Sequence, residues 1–466
     1  KGAAAPTRPN EPISGAGDVM KGCESEAQPL IAATSNDSQR LERVVASCVG
    51  FLADSYDLFT IDLVVLILEL QYGETLISTE AKSLMVSTML AGVVAGQLTF
   101  GCVADCFGRK WAFVCTAGLT VISALASSMC FHDAQMALPL QLALCRFVLG
   151  CGVGGEYPLS ATVSAEAVGD ANSRGQVMAL VVSMQGFGML LASLLAMLLV
   201  NLGLSLEAVW RFLLAFGAIP SAIAFGLRWR LSESEAFQES KSLEVRLQQS
   251  HSQKVRDTLS SCWPLLVGTS STWLLMNVFT YSLGSFKSSI FETVIHTTAA
   301  ADQVFDQAFF AAVTSTFAIG GFVAGMPLIR YTSRFHMQFF GFLALTAVFF
   351  GVSFFTHLWR GEPSASSQLI ILGLVFFILN SGPNLTTYIL PAEIFPTCVR
   401  ATCHGVSAAS GKMGAFFGTA AFPLVQRYCG MPAVYAACGI AAALGSLVTY
   451  ALTPRRAVDL GKLESQ

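Results

Sequence analysis

The sequence predicts an all-α membrane protein of twelve transmembrane helices in two pseudo-symmetric six-helix halves. Three observations carry that prediction. Mean hydropathy is +0.60 and only 12% of residues are charged, against about 25% in a soluble domain. Apolar windows of about 20 residues, the length that crosses a bilayer core, recur along all 466 positions. Charged and polar landmarks of the first half also return in the second at a nearly constant offset.

The windows fall near 43–70, 83–104, 111–131, 137–167, 176–203 and 207–228, then near 261–286, 307–330, 336–357, 367–392, 402–426 and 432–453. A polar stretch, 229–260, separates the two sets and reads as a cytosolic central loop. Residues 1–42, rich in Ala, Gly, Pro, Ser and Glu, read as a disordered cytosolic tail, and 454–466 as a second tail. That leaves 43–228 and 261–453 as the two halves. Orientation follows from basic residues. One side holds Arg109, Lys110, Arg174, Arg228, Arg230, Lys241, Arg246, Lys254, Arg256, Arg330, Arg334 and Arg400, with Arg455, Arg456 and Lys462 in the C-terminal tail. The other holds only Lys82, Arg211, Lys287, Arg360 and Arg427, so the first side is cytosolic with both termini. The halves echo each other: Glu166 and Glu393 lie 227 residues apart, as do Gln185 and Lys412, while Arg109 and Arg334 lie 225 apart.

Several classes are excluded. A net charge of −3 sorted by loop offers no surface for nucleic acid. The 13 cysteines are scattered through apolar runs without C-x-x-C or metal-ligand spacing, and read as small core residues. No nucleophile–base set or cofactor loop occurs. The glycines at 150–155 follow no strand and are not a nucleotide fingerprint. The chain therefore reads as a non-enzyme with no cofactor and no metal.

Motifs then mark the pathway. D-S-Y-D (54–57) places Asp54 and Asp57 at i,i+3 on one face of helix 1, where two acids cannot both ionise freely; they read as proton carriers, or as acids near a wet helix end. The turn G-C-V-A-D-C-F-G-R-K (101–110) reads as a charged gate latch, with Asp105 pairing a helix end or an arginine, or as a plain solvated turn. Its copy at 330–338 keeps Arg334 but lacks the acid and the glycine. Helix 4 carries Arg146, closely spaced glycines that imply tight helix packing, Glu156, Tyr157 and Glu166. Arg146 reads either as a partner of Glu166 or Asp105 or as a substrate attractor. Trp273, Asn277 and Tyr281 recur at i,i+4,i+8, a stripe that fits core packing or a site; Asn384 and Tyr388 repeat the i,i+4 spacing. Lys412, deep in helix 11 between glycines, calls for an anion unless it snorkels.

At these residues the chain resembles the phosphate:proton symporter family of the major facilitator superfamily over most of 43–455. F-L-A-D-S-Y-D-L-F, R-x-x-x-G-x-G-x-G-G-E-Y-P-L-S-A-T and N-L-T-T-Y-I-L-P-A-E-I-F-P-T-x-x-R-A-T-C-H-G-x-S-A-A-S-G-K carry the resemblance. It implies the superfamily's fold and a central phosphate site formed by Tyr157, Gln185, Trp273, Asn277, Tyr281, Asn384 and Lys412. It also implies a proton path through Asp54, Asp57 and Glu156. Asp105, Arg109, Arg146, Glu166, Glu393 and Arg400 remain as gate or structural charges. Two positions depart from the family: Glu156 stands where it usually has Asp, and Asn277 where it has an acid. The expectation is a plasma-membrane importer of inorganic phosphate coupled to protons, working as a monomer in the bilayer by alternating access. A carrier of an organophosphate or other organic anion, and a phosphate sensor with weak transport, stay open beside it.

Overall fold

In a computed structural model the backbone is described for residues 16–131, 137–168, 171–247, 251–294, 299–359 and 365–455. Side chains are described for residues 38–455, apart from 132–136, 169–172, 243–254, 284–298 and 359–366. The tail residues 1–15 and 456–466 lie outside the described residues. So do the side chains of Arg246, Lys254, Lys287, Arg360, Arg456 and Lys462.

The described residues form helices joined by short turns. In order come α1 (Ala16–Tyr72), α2 (Thr79–Phe107), α3 (Arg109–Ser128), α4 (Leu138–Glu166), α5 (Ala171–Asn201), α6 (Leu206–Phe216) and α7 (Ala218–Arg230). Then follow α8 (Glu235–Leu247), α9 (His251–Val294), α10 (Ala300–Tyr331), α11 (Arg334–Trp359), α12 (Ala365–Ser381), α13 (Pro383–Ile394), α14 (Arg400–Cys429) and α15 (Met431–Leu452). Among the described residues nine stretches are long and apolar enough to cross a membrane; α6 with α7, and α12 with α13, each make one of them. Helices α1, α9 and α14 complete the twelve. They carry Asp54 and Asp57, Asn277, and His404 and Lys412.

Local chemistry explains most ends. Ser78 caps α2 by accepting from Ala81 N at 3.3 Å. Gly108 adopts φ 114° between α2 and α3, where a side chain would be strained and would also collide with Glu233. Pro383 stands at the first position of α13 and interrupts the tenth span behind Gly382. Two boundaries differ from the sequence reading. The stretch 16–42, expected as a disordered tail, continues into α1 as helix. The central loop contains α8 and the start of α9, because its Glu, Lys, Leu, Arg and Gln residues are good helix formers once released into water.

The twelve-helix body is the unit that begins at Arg43. Within it α2 packs on α4 through glycine. A Cβ on Gly92 would come within 3.1 Å of the Gly150 Cα, and one on Gly154 within 2.8 Å of Val93 backbone atoms. The second half repeats this contact, with Gly321 of α10 against Phe377 and Gly325 against Ser381 of α12. The halves meet along α2 with α14 and α5 with α10.

Gly154→Val should force apart backbones that cannot yield, at about 1–3 kcal/mol, and lower the thermal midpoint in detergent by roughly 3 °C or more. Gly226→Ala, whose new methyl meets nothing within 4 Å, should leave the midpoint unchanged or slightly raised.

Candidate functional site

A cavity of about 770 Å³ lies between the halves and draws its walls from both. Tyr157 of α4 and Gln185 of α5 face it from the first half; Trp273, Asn277 and Tyr281 of α9, Asn384 of α13 and Lys412 of α14 face it from the second. The structure thus brings together all seven residues picked out for binding. It adds Thr280, Gln307, Ser315 and Asn380, which sequence reasoning missed, although Asn380 continues the i,i+4 spacing of Asn384 and Tyr388.

Lys412 is only 4% exposed. Its Nζ donates to the Tyr281 hydroxyl at 2.5 Å and stands 4.8 and 5.4 Å from the centroids of the Tyr281 and Tyr157 rings. Among the described residues no carboxylate is within ion-pair distance of it. Tyr157 and Trp273 approach at 6.5 Å between ring centroids, and Trp273 stands edge-on to His404 at 5.5 Å. A carbonyl can only accept, so His404 Nε2 carries a proton and donates it to Tyr388 O at 3.1 Å. The donor-rich wall suits an oxyanion.

The cavity reaches past Leu58 and Val65 of α1 to Thr79 and Lys82 of α2, where those helices join. The opposite end is shut. There Asp105 accepts from Ala401 N (3.3 Å), Thr402 N (2.7 Å) and Thr402 Oγ1 (2.7 Å), capping α14 from the other half. Arg109 pairs with Asp105 at 3.1 Å and Glu166 at 3.2 Å, and Arg400 reaches Glu166 at 3.1 Å. Ser234 donates to Glu166, and Glu233 accepts from Arg109 N at 2.9 Å, so the start of the central linker belongs to the latch. The turn at 330–338, though stripped of acid and glycine, keeps the same device. Arg334 pairs with Glu393 at 2.9 Å and donates to Ile329 O five residues back, just as Arg109 donates to Ala104 O.

Packing places three further charges, and two of them, Arg228 and Arg146, correct the sequence reading. Glu156 does not face the cavity. It pairs with Arg228 at 2.5 Å and accepts from Ser160, because neighbours on a helix point about 100° apart and Tyr157 takes the cavity side. Arg228, counted among loop charges, is buried, lies 3.7 Å over the Phe113 ring and donates to Phe113 O. Gly50 leaves the room this pair occupies. Arg146 meets neither Glu166 nor Asp105. It donates to Asp57 O at 3.2 Å, since 20 residues of α4 put it about 30 Å from Glu166. Asp54 and Asp57 are buried behind the cavity wall, each with one carboxylate oxygen that has no hydrogen-bond partner among the described residues.

Two six-helix halves, a mainly apolar cavity between them that carries Lys412 and several polar side chains, and a charged latch at one end define a multi-pass membrane transporter of the major facilitator type. The chain belongs to the sugar (and other) transporter family, which it matches over residues 43–458. Relatives include the probable inorganic phosphate transporter 1-3 of Oryza sativa subsp. japonica, 31% identical with 81% of this chain and 83% of the relative covered. They also include the low affinity inorganic phosphate transporter 1 of Petunia hybrida, 32% identical with 81% of each covered. The fold is that of the proton:xylose symporter XylE (TM-score 0.74, 18% identity, covering 92% of this chain and 99% of that one). It is also that of the human organic anion transporter MFSD10 (TM-score 0.63, 16% identity, 88% and 99% covered).

Replacing one member of the buried Glu156–Arg228 pair should cost about 3–5 kcal/mol, because the other charge is stranded. Arg228→Met should therefore lower the thermal midpoint sharply, and the double variant Glu156→Gln, Arg228→Met should regain most of the loss.

Proposed function

We propose that this protein imports inorganic phosphate together with protons across the plasma membrane by alternating access, acting as a monomer. One observation carries the reading: Lys412 is an ammonium buried at the cavity wall with tyrosines but no carboxylate beside it. Such a charge needs an anion from outside the protein. Tyr157, Gln185, Trp273, Tyr281 and Asn384 offer hydroxyl, amide and indole donors around it. The names of the plant relatives support phosphate as that anion.

Orientation and energetics support the rest. The shut end holds Arg109, Arg334 and Arg400, so by charge asymmetry it is cytosolic, both termini lie there, and the cavity opens outward. With the interior negative, each entering negative charge costs about 2.3 kcal/mol per 100 mV. A monovalent phosphate therefore needs at least two protons for voltage to drive it inward. Asp54 and Asp57, with unpartnered oxygens, and Glu156, held by Arg228, are the groups assigned to carry them. Reciprocal latches, one built on Arg109 and Glu166 and one on Arg334 and Glu393, suit a rocking of the halves.

The cavity's size and Asn277, a neutral amide in its wall, favour a second reading with a bulkier organophosphate as cargo. Competition separates the two: arsenate should displace phosphate under the first reading and fail to under the second.

In proteoliposomes, phosphate uptake should rise when the outside is acidified and collapse with a protonophore; uptake indifferent to both would refute proton coupling. Lys412→Gln should weaken phosphate binding roughly ten- to hundred-fold, the worth of about 1.5–3 kcal/mol for a charged hydrogen bond. Asn277→Asp should steepen the dependence of uptake on external pH, and an unaltered profile would remove this side chain from coupling.

A further inference from the structure

Asn380, Asn384 and Gln185 form a chain of amides across the two halves, and the chain has a direction. Asn380 is 3% exposed and lies one turn before Asn384. Its Nδ2 donates to Phe376 O at 2.7 Å. A backbone carbonyl can only accept, so this bond sets which end of the Asn380 amide points where. Asn380 Oδ1 must then face Asn384, and it accepts from Asn384 Nδ2 at 2.6 Å. The same Nδ2 reaches Gln185 Oε1 at 3.3 Å, from α13 across to α5. Both protons of the Asn384 amide are thereby engaged. Gln185 accepts through its oxygen, and its Nε2 has no acceptor among the described residues while the side chain lines the cavity.

We propose that Asn380 is a positioning residue that polarises this relay, so that Gln185 offers N–H rather than C=O to an oxyanion. The inference rests on the anion reading above and adds a residue to it. An amide is nearly symmetric in shape and can turn over by 180°. Turned over, Gln185 would set a carbonyl lone pair against the substrate's negative oxygens. Asn380, tied to its own helix by the Phe376 carbonyl, opposes that turn through Asn384, two links from the Gln185 amide. Because the chain spans both halves, it also couples the wall of the second half to the donor supplied by the first.

The test compares Asn380→Thr with Asn380→Val in purified protein, reading phosphate KM and kcat in proteoliposomes. The two side chains match in shape. Only threonine can donate to Phe376 O and accept from Asn384, as Thr and Ser side chains already bond the carbonyl four residues back at Thr272 and Thr386. Asn380→Val should raise KM about ten-fold with kcat within about two-fold, and Asn380→Thr should stay within about three-fold of the parent. Equal KM in the two variants would overturn the relay, whether both were raised or both unchanged, since a packing role does not distinguish hydroxyl from methyl. Thermal midpoints check that both are folded, and an Asn380→Ser and Asn380→Ala pair makes the same comparison if the larger side chains are not accommodated. A parent protein that binds no phosphate would sink the phosphate reading and the relay together. Binding by the parent that is lost in Lys412→Gln, with the Thr and Val variants equal, would sink the relay alone.

Discussion

Charge taken out of water has to be neutralised, and that constraint organises this molecule. In a hydrocarbon slab there is no solvent to repair an unpaired ion, and buried charges survive only with partners. Arg228 has Glu156 and the Phe113 ring; Glu166 gathers Arg109 and Arg400; Arg334 has Glu393. Lys412 departs from the pattern, with tyrosine hydroxyl and ring faces for company but no carboxylate. Its departure is what carries the proposal of an anionic cargo.

The same constraint gives the closed end its form. Four carboxylates and three guanidinium groups are held there by one another, by backbone carbonyls and by the N-terminus of α14. Asp105 does two jobs: it pairs with Arg109 in its own half and caps a helix of the other. A contact of that kind is strong when made and fully released when the ends separate, since water can then solvate both sides. The second half lacks that acid, and the arginine that reaches the carbonyl five residues back in each half is the surviving trace of the repeat.

Most of the fold was legible in the chain because hydrophobic length and charge asymmetry are one-dimensional properties. The windows near 83–104 and 432–453 correspond to α2 and α15. The break of the tenth span at Pro383 left a trace in sequence, whereas the helix inside the central linker was read as a polar loop. Trp273, Asn277 and Tyr281 were legible as one face because i,i+4 spacing places side chains above one another. Asn380 continues the i,i+4 spacing of Asn384 and Tyr388, a signal the sequence reading did not take up. Arg228 was misread as a loop charge because it stands near a helix end, and nothing local shows that Glu156, 72 positions earlier, comes within 2.5 Å of it.

From the chain alone came the class of molecule, its twelve spans, its repeat and the short roster of costly residues. Folding chose which of those residues face the cavity and which face one another. Glu156 and Tyr157 are neighbours in sequence, yet one is sealed against Arg228 and the other lines the site. Arg146 and Glu166 share a helix, yet sit about 30 Å apart at opposite ends of it. Propensity and hydropathy act along the backbone and can be summed from residue types. Pairing of buried charges acts across helices, over distances that only packing creates, and no spacing rule along one strand of chain contains it.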